Sequence, residues 1–349
     1  MRRYLRPLEL SWGPDARRAI ETGRAGRLGG SDAIAFSAVE IVTRDAGNIT
    51  RAIAPYGELR DDPLLKAIER MRPLAARFVP PALMGIVNVT PDSFSDGGLF
   101  ASPADAIAQG LKLAEEGAVI IDIGGESTRP GSEGVSEAEE LARVIPVVEA
   151  LAKAGHTVSI DTRKAPLMRA AAQAGAVMIN DVSALSHDPE GLATAADLRL
   201  PVVLMHAQGD PKTMQQNPVY DDAALDVFDW LKARIEACEK AGISRDLLYA
   251  DPGIGFGKTF IHNLEILQQI TLFHGLGVGL MIGLSRKSFM GRLTGEKTAA
   301  RRIMGSLGGA VHAALNGAHA IRVHDVEATR QALAVARAVV DPQPIGSTT

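Results

Sequence analysis

Between residues 84 and 340, short apolar runs keep ending in side chains that can do chemistry. The run 84–89 contains Asn88 and leads into Thr90-Pro91-Asp92-Ser93. The run 118–123 contains Asp122 and leads into Gly124-Gly125-Glu126-Ser127-Thr128-Arg129. Runs 157–160, 176–179, 201–205 and 247–250 are followed by Asp161-Thr162-Arg163-Lys164, Asn180-Asp181, His206 and Asp251. Run 279–284 is followed by Ser285-Arg286-Lys287, and 318–323 carries Arg322 and Val323 into His324. A strand-end Asp or Asn often caps the following helix. That accounts for one such residue, not for polar groups after every run.

The residue types narrow the ligand. Asn88, Asp161, Asn180 and Asp251 are amides and carboxylates that match the donor–acceptor edge of a flat heterocycle. Asp251 or Asp161 can accept from an amino group and an adjacent ring N–H, as a carboxylate does from a guanidinium. Lys287, Arg322 and His324 form a cationic trio on the last two runs, suited to an anionic group such as a phosphate or diphosphate. Arg286 reads as a salt-bridged surface cation.

These groups need elements that aim them at one place. The runs are nearly continuous in apolar residues, as in parallel strands buried on both faces. Stretches 103–116, 137–154, 165–174, 222–241 and 325–340 have helical periodicity. Eight βα units over roughly 250 residues predict a (β/α)8 TIM barrel, an α/β fold whose site lies at the C-terminal strand ends and whose last loops often bind phosphate. An open doubly wound sheet is the competitor. Two Gly-rich loops, 90–100 (TPDSFSDGGLF) and 124–134 (GGESTRPGSEG), are candidates for lids. Gly253, Gly255 and Gly257 in DPGIGFGK lack P-loop spacing. They read as a loop that lets Phe256 approach a ligand.

The chain has 349 residues and 36.9 kDa, with 46% hydrophobic and 22% charged residues. That is globular composition and fits about two domains, or one with an appendage. No long uncharged apolar stretch suits a membrane span. The start, MRRYLRPLELSWGP, has no apolar core for a secretory signal. Cys238 is the only cysteine, which excludes an internal disulfide and Cys-rich zinc sites. A soluble cytoplasmic protein is expected. Residues 1–83 are Arg-rich, with 14 basic and 10 acidic side chains. This reads as a solvated surface, and 4% aromatics leave little for base stacking. Residues 33–43 and 49–54 flank a turn at 45–48, and 62–77 has helical spacing. The extension 1–83 is therefore expected to hold a β-hairpin and a helix, ahead of a barrel over 84–341 and a tail over 342–349. Cys238, His312 and His319 read as packing or structural residues.

The chain closely resembles the dihydropteroate synthases of the folate pathway. The resemblance rests on MGIVNVTPDSFSDGG (84–98), IIDIGGESTRPG (120–131), SIDTRKAP (159–166), INDVSAL (179–185), LMHAQGDPKTMQ (204–215), DPGIGFGK (251–258), GLSRKS (283–288) and IRVHD (321–325). It does not cover residues 1–83. It implies condensation of 6-hydroxymethyl-7,8-dihydropterin diphosphate with 4-aminobenzoate, assisted by Mg²⁺, in a homodimer formed through the late helices, where Gly308-Gly309 would allow close approach. It implies that Asp161, Asn180, Asp251 and Lys287 hold the pterin, with Asp161, Asp251 and Lys287 catalytic. Thr128, Arg322 and His324 would hold the diphosphate, Val323 would bind substrate, and Asn88 would contact the metal. Asp92-Ser93-Phe94 and Thr128-Arg129-Pro130 would close over the site, and Phe256 and Ser288 would line the aminobenzoate pocket. Ala207 and Arg163 depart from the residues common in relatives. A pterin-binding methyltransferase and a non-catalytic pterin-binding homologue are the rival readings.

Overall fold

The computed structural model describes residues 1–70, 81–89, 102–127, 134–209 and 213–342. Two sheets organise them. The first is antiparallel: β1 (Arg2–Trp12), β2 (Gly26–Arg27), β3 (Ile34–Asp45) and β4 (Asn48–Pro55), with α1 (Gly13–Glu21), α2 (Tyr56–Leu59) and α3 (Pro63–Glu69). β3 and β4 are the expected hairpin. Their two-residue turn, Ala46-Gly47, has φ of 46° and 87°, the left-handed geometry that suits strand twist. The expected helix 62–77 is present as α3, capped by the Asp62 side chain on Leu64 N–H; residues 71–77 lie outside the described residues.

The barrel strands are β5 (Ala82–Asn88), β6 (Ile120–Gly124), β7 (Val158–Asp161), β8 (Met178–Asp181), β9 (Val202–Met205), β10 (Leu248–Asp251), β11 (Gly279–Gly283) and β12 (Ala320–Val323). All pair in parallel and close, with β12 beside β5, so the open-sheet alternative is excluded. The surrounding helices are α4 (Pro103–Glu115), α5 (Glu137–Lys153), α6 (Ala165–Gln173), α7 (Gly191–Leu198), α8 (Ala223–Lys240), α9 (Phe260–Gln268), α10 (Ser288–Thr294), α11 (Ile303–Leu315) and α12 (Val326–Val340). Ser102, Ser136, Asp222 and Thr259 cap four of them through side-chain acceptors, each worth about 1 kcal/mol. Every residue of β6, β8, β9, β10 and β11 is buried, which is why these strands read as continuous apolar runs. Inside the barrel, Met84, Ile120, Met178, Val203, Tyr249 and Met281 form an apolar plug. This filled interior leaves only the strand ends for chemistry.

The antiparallel sheet has its own core of Leu5, Leu28, Phe36, Val39, Tyr56, Leu65 and Ile68. It is tied to the barrel at both ends. Trp12 Nε1 donates to Leu315 O at 2.9 Å and Arg17 grips Asp341. Thr271 Oγ1 donates to Pro7 O at 2.9 Å, and His319, just before β12, contacts Gly29 O at 3.0 Å. Arg44 pairs with Asp221 and Asp226, and Arg51 with Asp222. His319 and His312, which contacts Leu267 O at 2.9 Å, make the structural contacts expected of them. Buried Cys238 packs in the main core. Gly309 does not serve an outward helix contact: a Cβ there would sit 2.6 Å from Leu284, so it is needed for packing on the barrel, whereas Gly308 has nothing within 4 Å.

Candidate active site

The C-terminal strand ends surround an open cleft, with Asp161, Asn180, Asp251, Lys287, Arg322 and His324 among its lining residues. β7, β8, β10 and β12 deliver four of these, Lys287 comes from the short loop after β11, and His324 follows β12 directly. Phe256, from the loop after β10, also lines it. Gly283, at the end of β11, lies between Asp251 and Arg322: a Cβ there would be 3.6 Å from the one and 3.7 Å from the other.

One side of the cleft is a charge network. Arg322 donates through Nε to Asp122 Oδ2 at 2.6 Å and through Nη2 to Asp161 Oδ2 at 2.7 Å. Asn180 Nδ2 donates to the same Asp122 oxygen at 2.9 Å. Burial pushes the Asp161 carboxyl up to about 7, against the pull of Arg322, with Asp122, Asp181 and Glu140 adding repulsion. The two carboxylates hold Arg322 in its charged form, outweighing burial. Sequence reading placed Asp122 at the site without giving it a role. The signal was a charged residue inside a fully buried apolar run, which is rare unless paired.

The other side is built on Asp251. Its Oδ1 accepts from Gly253 N–H at 2.7 Å, and burial raises its pKa against the opposing pull of Lys287. Lys287 has its ammonium over the Phe256 ring, 4.4 Å from the centroid, and donates to Ile254 O. Burial lowers the Lys287 pKa to about 8. The loop holding Phe256 lies flat on the segment after β9. Gly253 has φ +67°, and a Cβ there would meet His206 O at 1.9 Å; only glycine fits. Gln215 donates to Gly255 O at 2.6 Å, Tyr220 to Gly257 O at 2.7 Å and Lys258 to Phe256 O at 3.0 Å. Buried Lys258 also contacts His206 Nδ1 at 2.9 Å, and burial drives both groups' pKa values well down. This is the close-approach loop expected of the three glycines.

Around the rim, His324 N and Nδ1 contact Ser285 Oγ at 3.2 and 3.1 Å. Val323 is buried. Ser288 opens α10 and is exposed; it is not among the residues lining the cleft. Arg286 pairs with Asp325 through both Nε and Nη2, at 2.9 and 2.5 Å, the salt-bridged cation expected. Glu126, at the root of the 124–134 loop, accepts from Arg163 at 2.8 Å and lies 3.3 Å from Lys164. These cations hold its carboxyl below the usual range despite burial. Arg163 is thus neutralised by a loop residue. Thr128, Arg129, Pro130, Asp92, Ser93 and Phe94 lie outside the described residues.

Asn88 ends β5, beside Gly124 of β6. Among the described residues no group of three or more His, Cys, Asp or Glu is arranged to hold a metal. One neutral amide oxygen at the end of β5 is still a fitting donor for Mg²⁺, which keeps several waters and takes substrate phosphate oxygens rather than a full protein cage.

Residues 84–324 match the family described as pterin binding enzyme. The dihydropteroate synthase of Escherichia coli (strain K12) is 49% identical over 261 residues, covering 74% of this chain and 92% of that protein. The Xanthomonas albilineans dihydropteroate synthase with 4-aminobenzoic acid superposes with a TM-score of 0.70 at 51% identity, over 74% of this chain and 93% of that one. The same enzyme in complex with 7,8-dihydropteroate gives 0.67 at 48% identity, with the same shares covered. The closed barrel, the site residues on its strand ends and identity near one half over nearly the whole of these relatives agree: the chain belongs to the dihydropteroate synthase family, a group of transferases.

Proposed function

We propose that the chain condenses 6-hydroxymethyl-7,8-dihydropterin diphosphate with 4-aminobenzoate, releasing diphosphate and forming 7,8-dihydropteroate. The observation that carries this is the convergence of Asp161, Asn180, Asp251 and Lys287 on one cleft beside Arg322 and His324. Asp251 accepts from the pterin amino group and ring N–H, while Lys287 donates to the opposite ring edge. Arg322, the Val323 backbone, His324 and Thr128 take the diphosphate. Arg322 spends only two N–H groups on Asp122 and Asp161, and a guanidinium has more to offer. Phe256, Ser288, Arg129 and Pro130 form the aminobenzoate pocket. Asn88 would hold Mg²⁺, which when bound supplies charge neutralisation for the leaving group.

The bond between the pterin methylene and the diphosphate oxygen breaks, and its electron pair leaves with diphosphate. The methylene cation is conjugated with the ring. Asp161 and Asp251, when ionised, stabilise that charge from fixed positions. The arylamine nitrogen then forms the new C–N bond and loses a proton to solvent. Positioning and electrostatics supply the catalysis.

The proposal extends to assembly. A homodimer through α11 and α12 would cover Met304, Val335 and Val339, which are 66–77% exposed in the single chain. Residues 1–83 serve as a structural base for the barrel. A cytoplasmic setting rests on the single cysteine. The test is diphosphate release by purified protein with Mg²⁺ and the pterin diphosphate, with and without 4-aminobenzoate. Release coupled to dihydropteroate is expected. Tight pterin binding without condensation would overturn the synthase reading in favour of the methyl-transfer or binding-protein alternatives.

A further inference from the structure

Asp122 is fully buried on β6 and is the hub of the network, yet it is not among the residues lining the cleft. Its Oδ2 accepts from both Arg322 Nε and Asn180 Nδ2. Its Oδ1 is buried with no hydrogen-bond partner among the described residues. An unmatched buried acceptor costs stability, so this carboxylate is poorly explained as a stability device. Its geometric effect is definite. A carboxylate oxygen already bound to a guanidinium accepts and does not donate. The Asn180 atom facing it at 2.9 Å must therefore be the amide nitrogen. The orientation of this amide, which in an isolated Asn is ambiguous, is fixed by its neighbour.

We propose that Asp122 is a positioning residue that locks the Asn180 amide so that the site reads the reduction state of the pterin ring. The inference rests on the pterin reading above. With one Nδ2 hydrogen committed to Asp122, Asn180 offers a second Nδ2 hydrogen and the Oδ1 acceptor side by side. A 7,8-dihydropterin has a matching edge: N1 accepts and the adjacent N8–H donates. In the fully oxidised pterin both N1 and N8 are acceptors. The locked Oδ1 then faces a lone pair, and the amide cannot turn over without leaving Asp122. A site built to pair with an N–H discriminates strongly against the analogue lacking it, because its own polar group is left unpaired. Arg322, held by the same oxygen, limits any compensating shift of Asp122.

The experiment is calorimetric binding of 6-hydroxymethyl-7,8-dihydropterin and of 6-hydroxymethylpterin to the full chain, with the dihydro compound kept under reducing, anaerobic conditions. The native protein is expected to prefer the dihydro ring at least tenfold. In Asp122→Ala no acceptor on β6 faces Asn180, so its amide can turn over to present either edge, and the preference is expected to fall below about threefold. A purely structural role would weaken both ligands alike and leave the ratio unchanged, so an unchanged ratio in folded Asp122→Ala overturns the proposal. A native ratio near one also overturns it while leaving the pterin reading intact; failure to bind either ring sinks that reading instead. Should Asp122→Ala not fold, Asn180→Ala reports in its place: a ratio near one is expected, and a retained preference overturns the proposal.

Discussion

Replacing Asp161 by Asn keeps the shape of the side chain and removes its charge. Arg322 stays anchored, because Asp122 still accepts from its Nε at 2.6 Å. The change therefore isolates the electrostatic work of one carboxylate. A unit charge ~4 Å from the developing cation contributes about 4 kcal/mol at an effective dielectric of ~20. Arg322, 2.7 Å from the same carboxylate, offsets roughly half, leaving about 2 kcal/mol. That predicts a kcat about 30-fold lower, with pterin affinity changed much less. Continuous diphosphate release at saturating substrates measures kcat, and calorimetry measures binding. The pH profile adds an internal check. Asp161 in the free enzyme titrates near 7 and Lys287 near 8. Below the first value the anion proposed to stabilise the cation is protonated; above the second the ammonium proposed to hold the ring is lost. A narrow bell in kcat/KM is expected, with Asp161→Asn moving its acidic limb alone. Near-normal turnover in Asp161→Asn, or an acidic limb left where it was by the substitution, would refute the charge-stabilisation argument.

Gly253→Ala and Gly155→Ala form a matched pair, both at positive φ; only Gly253 faces a backbone oxygen, at 1.9 Å from the new Cβ. Urea unfolding should show about 1–2 kcal/mol of strain in both and a further ~1–3 kcal/mol from crowding at Gly253 alone; equal losses would contradict the stacked-loop geometry. Deleting residues 1–75 should lower the thermal midpoint and solubility, because it uncovers the barrel surface around Thr271 and His319; full activity with unchanged oligomeric state would exclude a structural need. Ser186→Ala removes an exposed hydroxyl bonded only to Ser183 O and should alter stability by under about 0.5 kcal/mol and turnover not at all, as activity and melting measurements would show.

The barrel was legible because its strands are short and buried on both faces, so apolarity alone marks them, and the residue ending each run lands at the mouth. The start of the chain was less legible. β1 mixes Arg, Pro and Leu, and its alternation breaks at Glu9, which has φ 51° and is skipped in the pairing with β3. α1 is short and polar, carries several charged residues and opens on a Gly-Pro pair with no side-chain cap, so little apolar sequence marks it. At the site, residue types marked which side chains gather at the strand ends but not which groups touch one another. That Arg322 lies between Asp122 and Asp161 depends on barrel closure, which brings residues about 160 and 200 apart in sequence together and leaves no local trace.

That same arrangement bears on how the chain is made. Asp122 and Asp161, the pair that Arg322 bridges, precede it in the sequence, as does every strand but β12. While the chain emerges from the ribosome, these two carboxylates are synthesised first and their shared cation almost last. An incomplete barrel would gather buried like charges without Arg322 and would have no partner for the open edge of β5. Sealing the sheet and neutralising its mouth thus become one event, completed by β12. Chains interrupted before residue 322 should expose both an acidic cavity and a bare strand edge, two features that favour recognition by chaperones and proteases over survival as idle enzyme.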